Sequence, residues 1–249
     1  MSVLTRRPSP ALRARELTDF AYSDVGAVRA ANEDALVRRP DEGLWAVADG
    51  MGGHHDGAQA SAILAAALED AEIQGEAEAD RAHVRAAIQA ANRRIFETGS
   101  ARGGKMGSTI VTLLIADGRF DIAWVGDSRA YLARSGALHP LTRDHTQVQV
   151  RVDQGLLTSS EARNHPMAHV LTRAVGSQAT VEISSMGGAI QPGDRFLLSS
   201  DGVHGVVRDA EIGQALSWGD PTSAGQSLAS LCNARGAPDN FTLIIVDCP

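Results

Sequence analysis

The sequence predicts an α+β fold with mainly antiparallel sheets and helices on the outside. Three observations carry that reading. Short β-branched or alternating apolar runs recur along nearly the whole chain, two amphipathic helical stretches stand together after the first few runs, and residues 142–179 break the rhythm with a polar excursion. At 249 residues the chain can form one large domain or two small ones, and a 43% hydrophobic content is enough for a sizeable core.

Strands are expected near 18–23, 35–38, 44–48, 108–116, 119–125, 129–133, 180–186, 195–199 and 241–247. In "RFDIAWV" the side chains of Phe120, Ile122 and Trp124 share one face, whereas "STIVTLLIA" is apolar nearly throughout, as for a strand covered on both sides. "IADGRF" reads as a hairpin turning at Asp117-Gly118. Across 58–73, Ala60, Ile63, Leu64, Ala67, Leu68 and Ala71 make one helical stripe. Across 79–97, Val84, Ile88, Ala91 and Ile95 make another, with Gly75 between them, so an antiparallel helix pair is expected. A later helix starts at "DPTSAGQSLASL", with Asp220 as N-cap, Pro221 at the first helical position, and Leu228 and Leu231 facing inward. The excursion, about 145–179, reads as a flap near a site.

Composition narrows the function. A net charge of −7 argues against nucleic-acid binding and suits a protein that gathers cations. No apolar run approaches the roughly 20 residues of a membrane span, so no membrane insertion is expected. Residues 1–16 hold four arginines and two prolines without an apolar stretch, and they read as a loose tail before a single domain at 17–249. Two cysteines, Cys232 and Cys248, suggest no disulfide framework, and the expectation is a cytoplasmic monomer.

Acids recur where strands meet loops. "LWAVADG" runs an apolar strand to Asp49, "AWVGDSRAYL" reaches Asp127, "RFLLSSDGV" reaches Asp201, and "APDNFTLIIV" places Asp239 and Asn240 just before a strand. Asp24, Glu33 and Asp34 follow the first strand. Taken singly, each aspartate is accounted for by turn chemistry. Taken together, sheets gather strand ends at an edge, and converging carboxylates resist ionisation unless cations sit between them. Ligands that are all oxygen suit Mg²⁺ or Mn²⁺ rather than zinc. A strand would fix Asp49, Gly50 would let its carbonyl turn to a metal, and two bridged ions would acidify a shared water and clamp a phosphoryl group. The residues by themselves reach a candidate two-metal hydrolase.

At these residues the sequence resembles the metal-dependent protein phosphatases, the type 2C serine/threonine phosphatases in their compact bacterial form. Eight blocks occur in family order: "SDVGAVRAANED", "VADGMGGHHDGAQAS", "MGSTIVTLLI", "WVGDSRAYL", "LTRDHT", "HVLTRAVG", "QPGDRFLLSSDGV" and "PDNFTLIIV". The resemblance implies a four-layer αββα sandwich, with two central antiparallel sheets flanked by helix pairs. It implies hydrolysis of phosphoserine and phosphothreonine on proteins by a metal-bridging hydroxide, opposing a serine/threonine kinase. By motif, Asp49 would bridge two Mn²⁺ or Mg²⁺ ions, the Gly50 carbonyl would bind one, and Asp201 and Asp239 the other. Glu33 and Asp34 would hold metal-bound waters, and Asp127 with Asp201 would form a third, weaker metal site. Arg29 falls at the phosphate-binding position of "R-x-x-x-E-D", and an arginine fork matches two phosphate oxygens. Asn240 would orient Asp239 or hydrogen-bond within the site, a turn role being the alternative, with Asp24 in support.

Two positions depart from the family pattern. Met51 stands where many eukaryotic members have a histidine proposed as general acid, and His54 is the candidate proton donor here. Gly205 stands where members often carry a further aspartate for the third ion. The remaining histidines are scattered, and His145 is expected to pack or hydrogen-bond. The competing reading is a non-catalytic module that binds phosphorylated proteins, which should have lost ligands; Asp49, Asp201 and Asp239 are all present. A narrower alternative, the branch acting on anti-sigma-factor antagonists, usually carries extra sensory domains.

Overall fold

The structure, a computed structural model, describes residues 17–52, 56–104 and 106–248. The tail at 1–16, His54 and Lys105 lie outside the described residues.

Two antiparallel sheets are stacked face to face. The first contains β1 (Thr18–Asp24), β11 (Phe241–Cys248), β10 (Asp194–Ser199), β7 (Arg129–Arg134) and β8 (Ala137–Pro140), in that spatial order. The second contains β2 (Asp34–Arg39), β3 (Leu44–Gly52), β5 (Ile110–Ala116), β6 (Arg119–Val125) and β9 (Ser184–Ala189), with the short β4 (Met106–Ser108) paired to the end of β3. The sheets meet through alternate residues. Val47, Leu113, Ile122 and Trp124 from one face interlock with Leu132, Phe196, Leu198, Ile244 and Val246 from the other. Opposite-parity residues cover the outer faces. Ile110 and Leu114 of β5 pack under Leu64, Leu68, Ile88 and Ile95 of α1 (Asp56–Glu69) and α2 (Ala77–Ala101). Leu243 and Ile245 of β11 pack under Ile212 and Leu228 of α6 (Asp209–Leu216) and α7 (Pro221–Ala234). Because β5 is buried on both faces, all seven of its residues are buried, which explains its unbroken apolar sequence.

Local chemistry matches these elements. The β5–β6 hairpin turns at Asp117 (φ 52°) and Gly118 (φ 68°), the two left-handed positions of a type I′ turn. Asp220 caps α7 by accepting from the Ser223 amide, with Pro221 in the first turn. The expected strand at 108–116 is broken at Thr109. There the backbone leaves β3 pairing through β5 and begins pairing through β4. The edge strand β9 sits at 184–189, a few residues beyond the expected 180–186. The sequence reading missed β8 and α6. β8 is short and mostly exposed, and α6 follows the turn-like "SDGVHGV".

The excursion after β8 is helical in part. α3 (Gln147–Asp153) is capped by Thr146, and α4 (Ser159–Arg163) by a capping box of Thr158 and Glu161. Its two legs are tied together by the Thr146–Leu171 bridge and by the Gln147 amide donating to the Val170 carbonyl at 2.9 Å. A short α5 (Asp201–His204) follows β10 directly.

Candidate active site

Antiparallel pairing sends every other strand end to the same rim. β2 begins where β3 ends, so Asp34 and Asp49 are cross-strand partners. β10 ends where β11 begins, which sets Asp201 beside the Asp239-Asn240 entry to β11. The turn from β6 to β7 brings Asp127 to that rim. Asp49, Asp127, Asp201, Asp239, Glu33 and Asn240 together line a cleft of about 820 Å³, with Arg29 at its margin.

Asp49 is held through its backbone. Its amide donates to the Thr109 hydroxyl (3.1 Å), and its carbonyl accepts from the Ser108 hydroxyl (2.9 Å) and the Thr109 amide (2.8 Å). Thr109 Oγ1 is also 2.6 Å from Ser128 Oγ, next to Asp127. The kink that splits the expected strand therefore fixes the carboxylate. β3 continues past Asp49 to Gly52. Gly50 is required for close approach, since a Cβ there would sit 2.2 Å from the Gly57 carbonyl and 2.6 Å from that of Glu33.

The electrostatics of the cleft floor are unfavourable for protein groups alone. Burial, then the charges of Asp201, Asp34, Asp127 and Asp239, push the Asp49 carboxyl well above the usual carboxylate range. Asp34 is pushed up to about 7, chiefly by burial, with the nearby Thr242 and Ser200 hydroxyls pulling the other way. Asp127 is pushed up to about 8 by burial, then by Asp201 and Asp144. Asp34 Oδ2 accepts from the Ser200 hydroxyl at 2.8 Å, but among the described residues its buried Oδ1 has no hydrogen-bond partner. An orphaned buried carboxylate oxygen among mutually repelling acids fits a site for divalent cations, which would satisfy both deficits. Asp49, Asp201, Asp239, the Gly50 carbonyl and Asp127 can hold them.

Asn240 organises the approach to the cleft. Its side-chain NH₂ donates to the carbonyls of Val25 (2.8 Å) and Ala31 (2.9 Å), and its Oδ1 accepts from the Glu33 amide (2.9 Å). The loop carrying Arg29 and Glu33 is thus pinned to the start of β11. Asp24 supports the same loop, accepting from the Gly26 amide (2.8 Å) and the Tyr22 hydroxyl (2.7 Å), and does not line the cleft.

His145 packs as expected. It stacks on Trp124, and its Nδ1 accepts from the Gly126 amide at 3.0 Å. His169 was passed over among the scattered histidines. The return leg of the flap brings it to the cleft, with Nδ1 3.2 Å from Asp201 Oδ2. No spacing rule links it to Asp201, 32 residues away. Thr109, Ser108 and Ser200 were also missed, because lone hydroxyls carry no pattern.

This arrangement first defines a class: a two-sheet sandwich whose rim is built to hold divalent cations. The sequence matches the protein phosphatase 2C family over residues 17–151. It is 38% identical over 232 residues to the serine/threonine protein phosphatase PstP of Mycobacterium tuberculosis, covering 91% of this chain and 44% of that protein. It is 32% identical over 235 residues to the serine/threonine phosphatase stp of Listeria monocytogenes, covering 90% and 93%. The crystal structure of the PstP catalytic domain in complex with two manganese ions superposes with a TM-score of 0.82 at 37% identity, covering 93% of this chain and 97% of that one. The chain belongs to the protein phosphatase 2C family. It spans less than half the length of the tuberculosis relative.

Proposed function

We propose that this protein is a Mn²⁺- or Mg²⁺-dependent phosphatase that removes phosphate from serine and threonine on proteins, acting as a monomer in a bacterial cytoplasm against a serine/threonine kinase. The observation that carries the reading is the set of buried and half-buried acids from separate strand ends, converging with the Asp34 oxygen that has no partner among the described residues. In this reading Asp49, the Gly50 carbonyl, Asp201 and Asp239 would hold the ions. Bound there, the ions supply Lewis-acid charge for the phosphoryl oxygens and bring a water within reach of deprotonation near neutral pH.

The chain's own groups do the rest. Arg29, with its side chain 56% exposed at the cleft margin, offers its fork to the incoming phosphate dianion. Glu33 and Asp34 accept hydrogen bonds from waters at the floor and orient them. Asn240 keeps Arg29 and Glu33 at a fixed distance from Asp239. His54 supplies the proton to the departing serine or threonine oxygen, a role that a pH profile of His54→Ala tests. The flap at 145–179 contributes to substrate choice.

The test is phosphate release from a phosphothreonine peptide by the purified chain with Mn²⁺, abolished by EDTA. Asp201→Asn and Asp239→Asn should each lower turnover by several orders of magnitude. Near-normal turnover of Asp239→Asn would overturn the ion assignment. Tight phosphopeptide binding without any turnover would favour the non-catalytic module instead.

A further inference from the structure

Asp127, His169 and Asp201 each present a ligand atom, and these atoms all lie within 4.8 Å of one another. The three residues stand where two cavities meet: the catalytic cleft, and a neighbouring cavity of about 310 Å³ beneath the flap. Donors on one small divalent ion, at roughly 2.0–2.2 Å from it, are on the order of 3–4.4 Å apart, so a slight contraction closes the group around a cation. The 3.2 Å separation of His169 Nδ1 and Asp201 Oδ2 already suits adjacent positions on one ion.

A second observation is independent of the clustering. Asp127 is only 7% exposed and lines the cleft, and among the described residues no side chain hydrogen-bonds or ion-pairs with its carboxylate. A buried carboxylate aimed into a cavity without a cationic or hydroxyl partner is short of a positive charge. His169 is also placed by the backbone rather than by chance. It lies two residues before Leu171, whose bridge to Thr146 closes the flap, and beside Val170, whose carbonyl is bonded by Gln147.

Gly205 supplies no side chain to this corner; its amide closes the α5 turn onto the Asp201 carbonyl at 2.7 Å. Resting on the reading of the cleft as a two-metal site, we propose that His169 donates a ring nitrogen to a third divalent cation beside Asp127 and Asp201, in place of the carboxylate that Gly205 lacks. Two consequences follow from ligand chemistry. A mixed nitrogen and oxygen set favours Mn²⁺ over Mg²⁺, which takes nearly all-oxygen shells. The ion also ties the flap to the cleft, because one of its ligands rides on the flap.

The experiment uses the full chain, stripped with a chelator and dialysed against Mn²⁺ or Mg²⁺. Bound metal is counted by elemental analysis, and ion positions are read from anomalous scattering in Mn²⁺-soaked crystals. The wild type should bind three Mn²⁺ but two Mg²⁺, with the third manganese peak at ligand distance from the His169 ring. His169→Ala should keep the two cleft peaks, which report an intact fold, and weaken the third by about tenfold or more, since even outer-shell changes cost ~10–100-fold in metal affinity. His169→Asp should restore a third ion and accept Mg²⁺ there. Only two Mn²⁺ in the wild type, a third peak away from the imidazole, or an unchanged third peak in His169→Ala would each overturn the proposal. Failure of the phosphatase reading would look different: three ions bound as described, with no phosphopeptide turned over.

Discussion

Arg29 Nη2 donates to Asp239 Oδ2 at 2.7 Å, so the proposed phosphate-binding cation and a proposed metal ligand are partners. Without an ion, the arginine supplies the positive charge that Asp239 otherwise lacks. Both groups are partly exposed, and such pairs contribute about 0–1 kcal/mol. Removing the arginine should therefore leave Mn²⁺ affinity unchanged or tighten it up to roughly fivefold, while removing a bidentate phosphate contact. Arg29→Ala should lower kcat/KM for a phosphopeptide by about 10²-fold, from lost charge-assisted hydrogen bonds. Calorimetric Mn²⁺ titration beside steady-state kinetics separates the two effects, and weaker Mn²⁺ binding in the variant would contradict this account.

Metal loading should stabilise the fold strongly, because the cleft acids repel one another when bare. At Mn²⁺ concentrations near 100 times Kd, one site adds about 2.7 kcal/mol. EDTA should therefore lower the thermal midpoint by several degrees. Asp49→Asn removes the carboxylate that faces Asp34, Asp127, Asp201 and Asp239. It should raise the midpoint of the metal-free protein while abolishing most of the gain on adding Mn²⁺, as read by calorimetry.

The acids at strand ends were legible in the sequence because antiparallel pairing is a local rule with a global outcome. A carboxylate ending an apolar run, as at Asp49, Asp127 and Asp201, must arrive at a rim, and Asp239 preceding β11 must arrive at the same one as Asp201. The sandwich core was legible through parity, as in Phe120, Ile122 and Trp124. What could not be read was contact made by chain reversal without periodicity. The flap returns His169 to Asp201, and Thr109 breaks a run that looks continuous because its hydroxyl and amide both serve Asp49. α6 escaped notice for a different reason: its N-cap residue, Arg208, makes no side-chain capping bond, and only the Glu211 carboxylate closes the first turn by accepting from the Arg208 amide, so no serine or aspartate marks the start.

His145 should make the protein sensitive to mild acid. Its Nδ1 accepts from the Gly126 amide, its Nε2 lies 3.0 Å from Ser184 Oγ, and Arg173 Nη1 stands 3.2 Å from Nε2. Burial first, then Arg173, lower its pKa to about 4, while Asp144 and Glu182 pull weakly the other way. The folded pKa lies below the unfolded value near 6.5, so the stability it contributes is present above pH 6.5 and is lost as pH falls towards 4. Protonation also destroys the bond from Gly126. The difference in melting temperature between wild type and His145→Asn should shrink by roughly 3 °C or more between pH 7 and pH 4.5. A constant difference across that window would show that His145 does not titrate there.

Asn240 should act mainly through the loop it pins. Asn240→Ala removes two donors and one acceptor, leaving the Val25 and Ala31 carbonyls and the Glu33 amide without that partner. The expected cost is about 1–3 kcal/mol, since the three groups are only part-buried and each lost bond contributes on the order of 0.5–1.5 kcal/mol. Asn240→Asp keeps the acceptor for Glu33 but sets carboxylate oxygens against two carbonyls, so it should be no better than alanine. Urea unfolding of both variants decides, and a harmless aspartate would mean that the two carbonyl contacts contribute little.

Gly202 joins the two acid-bearing segments by close approach. It follows Asp201 in α5, and a Cβ on it would lie 1.9 Å from the Asn240 carbonyl oxygen and 3.0 Å from Phe241 Cβ. Asn240 immediately precedes β11 and Phe241 begins it, and with Phe241 paired to Asp24 this backbone cannot rotate away as a side-chain tip could. Gly202→Ala must therefore push α5 off β11 and so separate Asp201 from Asp239. Overpacking of this kind costs about 1–3 kcal/mol in stability. The more telling effect is on the cleft: Mn²⁺ affinity and phosphopeptide turnover should fall together. Gly193→Ala serves as the control, because that glycine has φ 83° but open space around its Cβ position and lies at the opposite end of β10. It should lose some stability from backbone strain while binding Mn²⁺ normally. Equal Mn²⁺ affinity in the two variants would show that the spacing of Asp201 and Asp239 does not depend on this contact.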